Sequence, residues 1–224
     1  MVHITTTFAS LVINSANSKV RYNTMYSYEH EAYTQGHELV AGMDEVGRGP
    51  LAGPVLACCL ILPKGVALLG VDDSKKLSPK KRERLAVVIH ENAISLGIGL
   101  CSNYEVDQMG IQTATHTAMA RAVAQMRVKP DIALVDGYPI KGEAFESLDL
   151  EQRAIIKGDQ KSATIAAASI VAKVTRDRLM CAFAEAYPGY GFEIHKGYGT
   201  KRHIEAIKVY GVCDIHRLSF LKNI

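Results

Sequence analysis

The chain has 224 residues, 48% of them apolar and 22% charged, with a net charge of +3 at neutral pH. This composition suits a folded domain with a real core and excludes a disordered or fibrous chain. Five cysteines without a C-x-x-C pair argue against a disulfide framework and for a reduced, cytoplasmic protein, and no apolar run is long enough to cross a bilayer.

Residues 1–25 read as an N-terminal extension, poorly ordered or loosely docked. No Asp or Glu occurs before position 29. Basic residues are nevertheless too few for an organelle presequence, and FASLVI is too short for a secretory core. Residues 26–224 read as one domain. YSYEHEAYTQG suggests a short helix closed by Gly36. Strands are expected at 39–46 and 52–62; the Gly-Arg-Gly-Pro turn between them implies a hairpin. A helix follows, with Ser78 as N-cap and Pro79 at its first position. GIGLCS is a third strand, and helical patterns occupy 103–109 and 112–127. DIALVDG and RAIIKG are the fourth and fifth strands. The long helix SATIAAASIVAKVTRDRLMCAFAEAY repeats apolar positions at Ile165, Ala168, Ala172, Leu179 and Phe183. A loop rich in Gly and Tyr and a helix at 200–210 complete the domain. This order implies an α/β fold, a mixed five-stranded sheet flanked by helices with a helical C-terminal part.

Acids recur at comparable places. Asp44 and Glu45 lie near the end of the first strand, Asp136 ends the fourth, and Asp159 follows the fifth. Each alone has an ordinary explanation: Asp before Gly is turn chemistry, and Asp159 could cap a helix. Asp44-Glu45 inside an apolar run is harder to dismiss, because buried carboxylates need a cation. If the acids converge, an all-oxygen donor set favours Mg²⁺ or Mn²⁺ over zinc. Neighbours on a strand point to opposite faces, so Asp44 is the expected main ligand, with Glu45 reaching in through a bend or by its carbonyl.

Gly47-Arg48-Gly49 allows close approach of a phosphate or ribose to the main chain. Ser74 and Lys75 precede a helix and suit phosphate contacts, whereas the basic residues from Lys80 onward read as a solvated face. HKGYGTKRH interleaves Lys196, Tyr198, Lys201 and Arg202, a pattern suited to a nucleic-acid strand. His195, His203 and His216 lack a Cys/His constellation and read as structural or phosphate-contact groups. The residues by themselves reach metal-dependent phosphodiester chemistry. A non-catalytic nucleic-acid-binding protein and a phosphoesterase that needs no ribonucleotide remain the alternatives.

Six segments in register, AGMDEVGRGPLAGPV, VDDSKKLS, ALVDG, IIKGDQKSATIAAASIVAKVTRDRLM, YPGYGFEIHKGYGTKRH and IHRLSF, resemble ribonuclease HII, a type 2 ribonuclease H family. The resemblance covers residues from about 26 to the C-terminus. It implies a ribonuclease H-like catalytic domain. It also implies that Asp44, Glu45, Asp136 and Asp159 bind two divalent cations, Mn²⁺ or Mg²⁺. Gly47, Arg48 and Gly49 would read the ribose 2′-hydroxyl. Tyr198 would stack on the deoxyribose after the ribonucleotide, and Ser74, Lys75, Lys173 and Lys196 would contact substrate. The implied reaction is hydrolysis 5′ to a ribonucleotide in RNA–DNA hybrids and at single ribonucleotides embedded in duplex DNA, in the service of ribonucleotide removal. The related HIII branch usually carries Gly-Lys-Gly and a larger N-terminal domain. A monomer without membrane association is the default, and LSFLKNI suggests a sliding-clamp docking tail.

Overall fold

The structure, a computed structural model, describes residues 25–66 and 77–222. The expected extension, save Met25, lies outside them, as do Ser74 and Lys75. The elements are α1 (Ser27–Thr34), β1 (Val40–Val46), β2 (Val55–Ile61), α2 (Pro79–Asn92), β3 (Ser95–Cys101), α3 (Asn103–Gln125), β4 (Ile132–Asp136), α4 (Glu143–Glu146), β5 (Glu151–Ile155), α5 (Ala163–Ala186), α6 (Phe192–His195) and α7 (Lys201–Tyr210). Short 3-10 turns occupy Gly158–Gln160 and Leu218–Phe220.

The five strands form one sheet in the order β3-β2-β1-β4-β5. The hairpin expected from the Gly-Arg-Gly-Pro turn is present, with β1 antiparallel to β2. β1 runs parallel to β4, and β4 parallel to β5. The second strand starts at Val55 and not at 52, because Ala52 bridges to His216 and Pro54 has no N–H to offer a ladder.

Alternation divides the strand side chains between the two faces of the sheet. Ala41, Met43, Ala57, Cys59 and Val135 face α3. Leu56, Cys58 and Leu60 meet Leu85 and Ile89 of α2 and the alanines of α5. Val40, Ile132 and Leu134 meet Ile165 of α5 and Ala32 of α1. Each fully buried Leu or Ile contributes about 2 kcal/mol. Gly42 brings α5 onto β1: a Cβ there would lie 2.1 Å from the Thr164 carbonyl carbon.

Local signals act as read. Ser78 caps α2 with Pro79 at its start, and Ser102 and Glu105 form a capping box on α3. α3 breaks at Gly110, where φ is 78°, which reconciles the two helical patterns with one element. Ser162, and not Asp159, caps α5. Among the described residues no helix is long and apolar enough to cross a membrane.

Candidate active site

The parallel registers decide where the acids fall. Met43 stands opposite Val135, so one residue further on Asp44, near the end of β1, and Asp136, at the end of β4, lie side by side on the face toward α5. Asp136 in turn stands opposite Ile155, four residues before Asp159. A cavity of about 200 Å³ opens there, walled by Asp44, Glu45, Val46, Arg82, Asp136, Ser169, Lys173 and Tyr198. Asp159 is not part of that wall. It is buried in the 3-10 turn beside Gly158, whose N–H donates to Asp136 Oδ1 at 2.6 Å.

Asp44 is 6% exposed and accepts the Glu45 N–H at 2.8 Å. Burial pushes its carboxyl well above the usual range, and the charges of Glu45 and Asp136 push it further; a bond with Ser169 opposes them. Glu45 is also raised by burial, against the pull of Arg48 at 3.2 Å. Arg48 reaches on to Gln112 of α3 at 3.4 Å. Glu45 lines the same cavity as Asp44 although strand alternation continues through it, in register with Ala57 of β2.

Three mutually repelling carboxylates in one cavity, with oxygen donors only, fit a hard divalent cation. Among the described residues no group of three or more His, Cys, Asp or Glu forms a ready-made coordination shell, so a cation would have to draw these oxygens in.

Gly47-Arg48-Gly49 leaves the end of β1 and faces Tyr198, such that a Cβ at Gly49 would lie 3.9 Å from its ring. Tyr198 is 42% exposed. Lys173 lines the cavity but bonds Asp177 at 2.7 Å. Lys196 lies in an adjoining groove of about 640 Å³ between α2, α5 and α6. Its ammonium donates to the Glu193 carbonyl and to Cys181 Sγ, and its backbone is left-handed with φ of 53°. Sequence reasoning missed Ser169 and set Arg82 among solvated residues. Ser169 is a polar residue in the AAASIVA run, a signal that was available. Arg82 has none, since only the packing of α2 against α5 brings it to the cavity.

His195, His203 and His216 are buried beneath the Tyr198 loop. The Cys213 N–H donates to His216 Nδ1 at 2.9 Å, which leaves the His216 Nε2–H for His203 Nε2 at 3.1 Å. His203 Nδ1–H is then free to donate to the Tyr198 carbonyl at 3.0 Å. The relay needs neutral rings: a proton on His203 Nε2 would oppose the His216 N–H. Burial lowers all three pKa values, His203 to about 4. Below the ordinary value of 6.5 the unfolded chain takes up more protons, so stability from His203 is complete above that pH and is lost as pH falls toward 4. The loss should be on the order of 2 kcal/mol after allowance for solvent screening. The cleft acids, with raised pKa values, act in the opposite sense. Between pH 7 and 4 the urea midpoint of the parent should fall relative to that of His203→Gln. Parallel profiles would remove this account.

The profile of the family "Ribonuclease HII" matches residues 41–223. The chain is 51% identical over 203 residues to the ribonuclease HII of Acetivibrio thermocellus, covering 91% of this chain and 77% of that protein. Among solved structures it is similar to ribonuclease H2 from Pyrococcus horikoshii (TM-score 0.68, 30% identity, 80% of this chain and 92% of that one). It is also similar to the RNase HII solved in a complex with PCNA from Archaeoglobus fulgidus (TM-score 0.69, 30% identity, 80% and 94%).

Proposed function

The chain belongs to the ribonuclease HII family of ribonuclease H hydrolases, and from this we propose that it hydrolyses the phosphodiester on the 5′ side of a ribonucleotide, both in RNA–DNA hybrids and at single ribonucleotides embedded in duplex DNA. The products would be a 3′-hydroxyl and a 5′-phosphate. The observation that carries the reading is the meeting of Asp44, Glu45 and Asp136 in one cavity whose wall includes Tyr198.

Asp44, Glu45 and Asp136 would hold divalent cations, with Asp159 drawn in from the adjacent turn. Mg²⁺ or Mn²⁺ bound there would supply an activated water and neutralise charge on the leaving oxygen. The Gly47-Arg48-Gly49 main chain would test for the 2′-hydroxyl, the group that distinguishes RNA from DNA. Tyr198 would pack on the following sugar. Lys173 and Arg82 would steady phosphates at the cavity rim. Ser74 and Lys75 join this reading through the family resemblance alone. Residues 26–224 would form the catalytic domain.

The direct test is an end-labelled DNA duplex carrying one ribonucleotide, incubated with Mg²⁺ or Mn²⁺ beside an all-DNA control. One cut 5′ to the ribonucleotide, absent from the control, is expected. Cutting of both duplexes would point to a general phosphoesterase, and binding without cutting to a non-catalytic protein. In Tyr198→Ala, cleavage at the isolated ribonucleotide should fall about 10- to 100-fold, the scale of one lost stacking contact. An unchanged rate would remove the tyrosine from the site.

A clamp contact like that of the archaeal relative would fall to Leu218 and the residues after Phe220. Phe220 itself packs on the core and under the Arg217 guanidinium, 5.2 Å from its ring centre. Leu218 is 61% exposed.

A further inference from the structure

Two arginines, Arg176 of α5 and Arg217 after α7, are fully buried at 0% exposure. Buried guanidinium groups ordinarily pair with carboxylates. Here the six bonds end on main-chain carbonyls. Arg217 donates from Nε to Gly53 at 2.9 Å, from one terminal nitrogen to Arg48 at 3.0 Å, and from the other to Gly47 at 2.6 Å. Arg176 donates to Pro54 at 3.0 Å, to Lys196 at 2.9 Å and to Ala52 at 3.1 Å. The loop between β1 and β2 is thus drawn inward at five successive or near-successive carbonyls. Arg176 also ties it to the chain just before Tyr198.

A trans peptide has its N–H pointing opposite to the preceding C=O. With the Gly47 and Arg48 carbonyls turned inward to Arg217, the N–H groups of Arg48 and Gly49 are turned outward. Among the described residues neither donates to another main-chain carbonyl outside helices and strands. Only a planar fork with several fixed donors can hold two neighbouring carbonyls this way; a lysine ammonium is a point donor on a flexible stem.

We propose that Arg217 is a positioning residue for ribonucleotide recognition: by holding the Gly47 and Arg48 carbonyls it aims the Arg48 and Gly49 N–H groups at the 2′-hydroxyl. The inference rests on the function proposed above, in which this loop reads the ribose. Arg217 lies about 170 residues from the loop, at the other end of the chain.

The test uses Arg217→Lys and Arg217→Gln in an Asp136→Asn background, which binds without turning over. Affinity is measured by fluorescence anisotropy for a duplex with one ribonucleotide and for its all-DNA counterpart. Amide signals of Arg48 and Gly49 are followed by ¹⁵N NMR. The preference for the ribonucleotide duplex should fall about fivefold, the worth of one hydrogen bond, while all-DNA affinity moves less than twofold. The two amide signals should shift and exchange faster. Arg217→Lys keeps the buried charge and is the variant to rely on should Arg217→Gln not fold. An unchanged preference together with unmoved amides in folded Arg217→Lys would overturn the proposal. If the parent shows no ribonucleotide preference, the proposed function fails instead, and the amide signals alone decide whether Arg217 positions the loop.

Discussion

Asp136→Asn should lower turnover by about 100-fold or more and leave duplex affinity nearly unchanged. Even an outer partner of a metal ligand costs 10- to 100-fold when removed, and Asp136 stands in the cavity wall itself. The replacement is also well suited to separating chemistry from folding. An asparagine oxygen can still accept the Gly158 N–H that Asp136 Oδ1 accepts at 2.6 Å. It removes one of the charges that hold the Asp44 carboxyl above its usual range, so the folded state loses repulsion and keeps the Gly158 bond. The thermal midpoint should therefore be equal to or above that of the parent. Near-normal cleavage in the variant would take Asp136 out of the reaction. Lost cleavage accompanied by a lowered midpoint would mean that its role is structural.

Gly47→Ala should cost about 3–5 kcal/mol, a large part of the 5–15 kcal/mol that holds a domain together. Gly47 has φ of 90°, a region in which a side chain costs about 1–3 kcal/mol. Its Cβ would lie 2.2 Å from Arg176 Nε and 2.8 Å from the Pro54 carbonyl oxygen. Arg176 cannot step aside cheaply, because its guanidinium is buried and bonded to three carbonyls. Each buried donor left without a partner costs a further 1–3 kcal/mol or so. Gly49→Ala is the matched control. A Cβ there meets only the Tyr198 ring at ordinary contact distance, so its stability should stay within about 0.5 kcal/mol of the parent. Urea denaturation of the two variants side by side checks this. Equal midpoints would mean that the loop is not clamped as described.

Much of this protein is legible without coordinates because the relevant signals are local. Ser78-Pro79 starts a helix through a cap that spans three residues. The alternation in β1 and β2 reports one buried sheet, and a Gly-Arg-Gly-Pro turn between two strands leaves little choice but a hairpin. The recurrence of acids at strand ends likewise announces a site, because the ends of β1, β4 and β5 are where a parallel register gathers its loops.

What the sequence by itself determined is therefore the five strands, the long helices and their order, the family and the three wall acids, but not the short helices Glu143–Glu146 and Phe192–His195. The tertiary structure alone decided how those parts are held. Ser169 reaches Asp44 only because Gly42 lets α5 settle on β1. The Lys196 ammonium is taken up by the Glu193 carbonyl and Cys181 Sγ in the adjoining groove. Asp159 stays outside the cavity wall while its neighbour Gly158 binds Asp136. The clamp on the Gly47-Arg48-Gly49 loop comes from Arg176 and Arg217, more than 120 and about 170 positions away. Contacts between residues so far apart leave no periodicity and no cap in the chain. They exist only once burial has forced a guanidinium to find its partners among the carbonyls within reach.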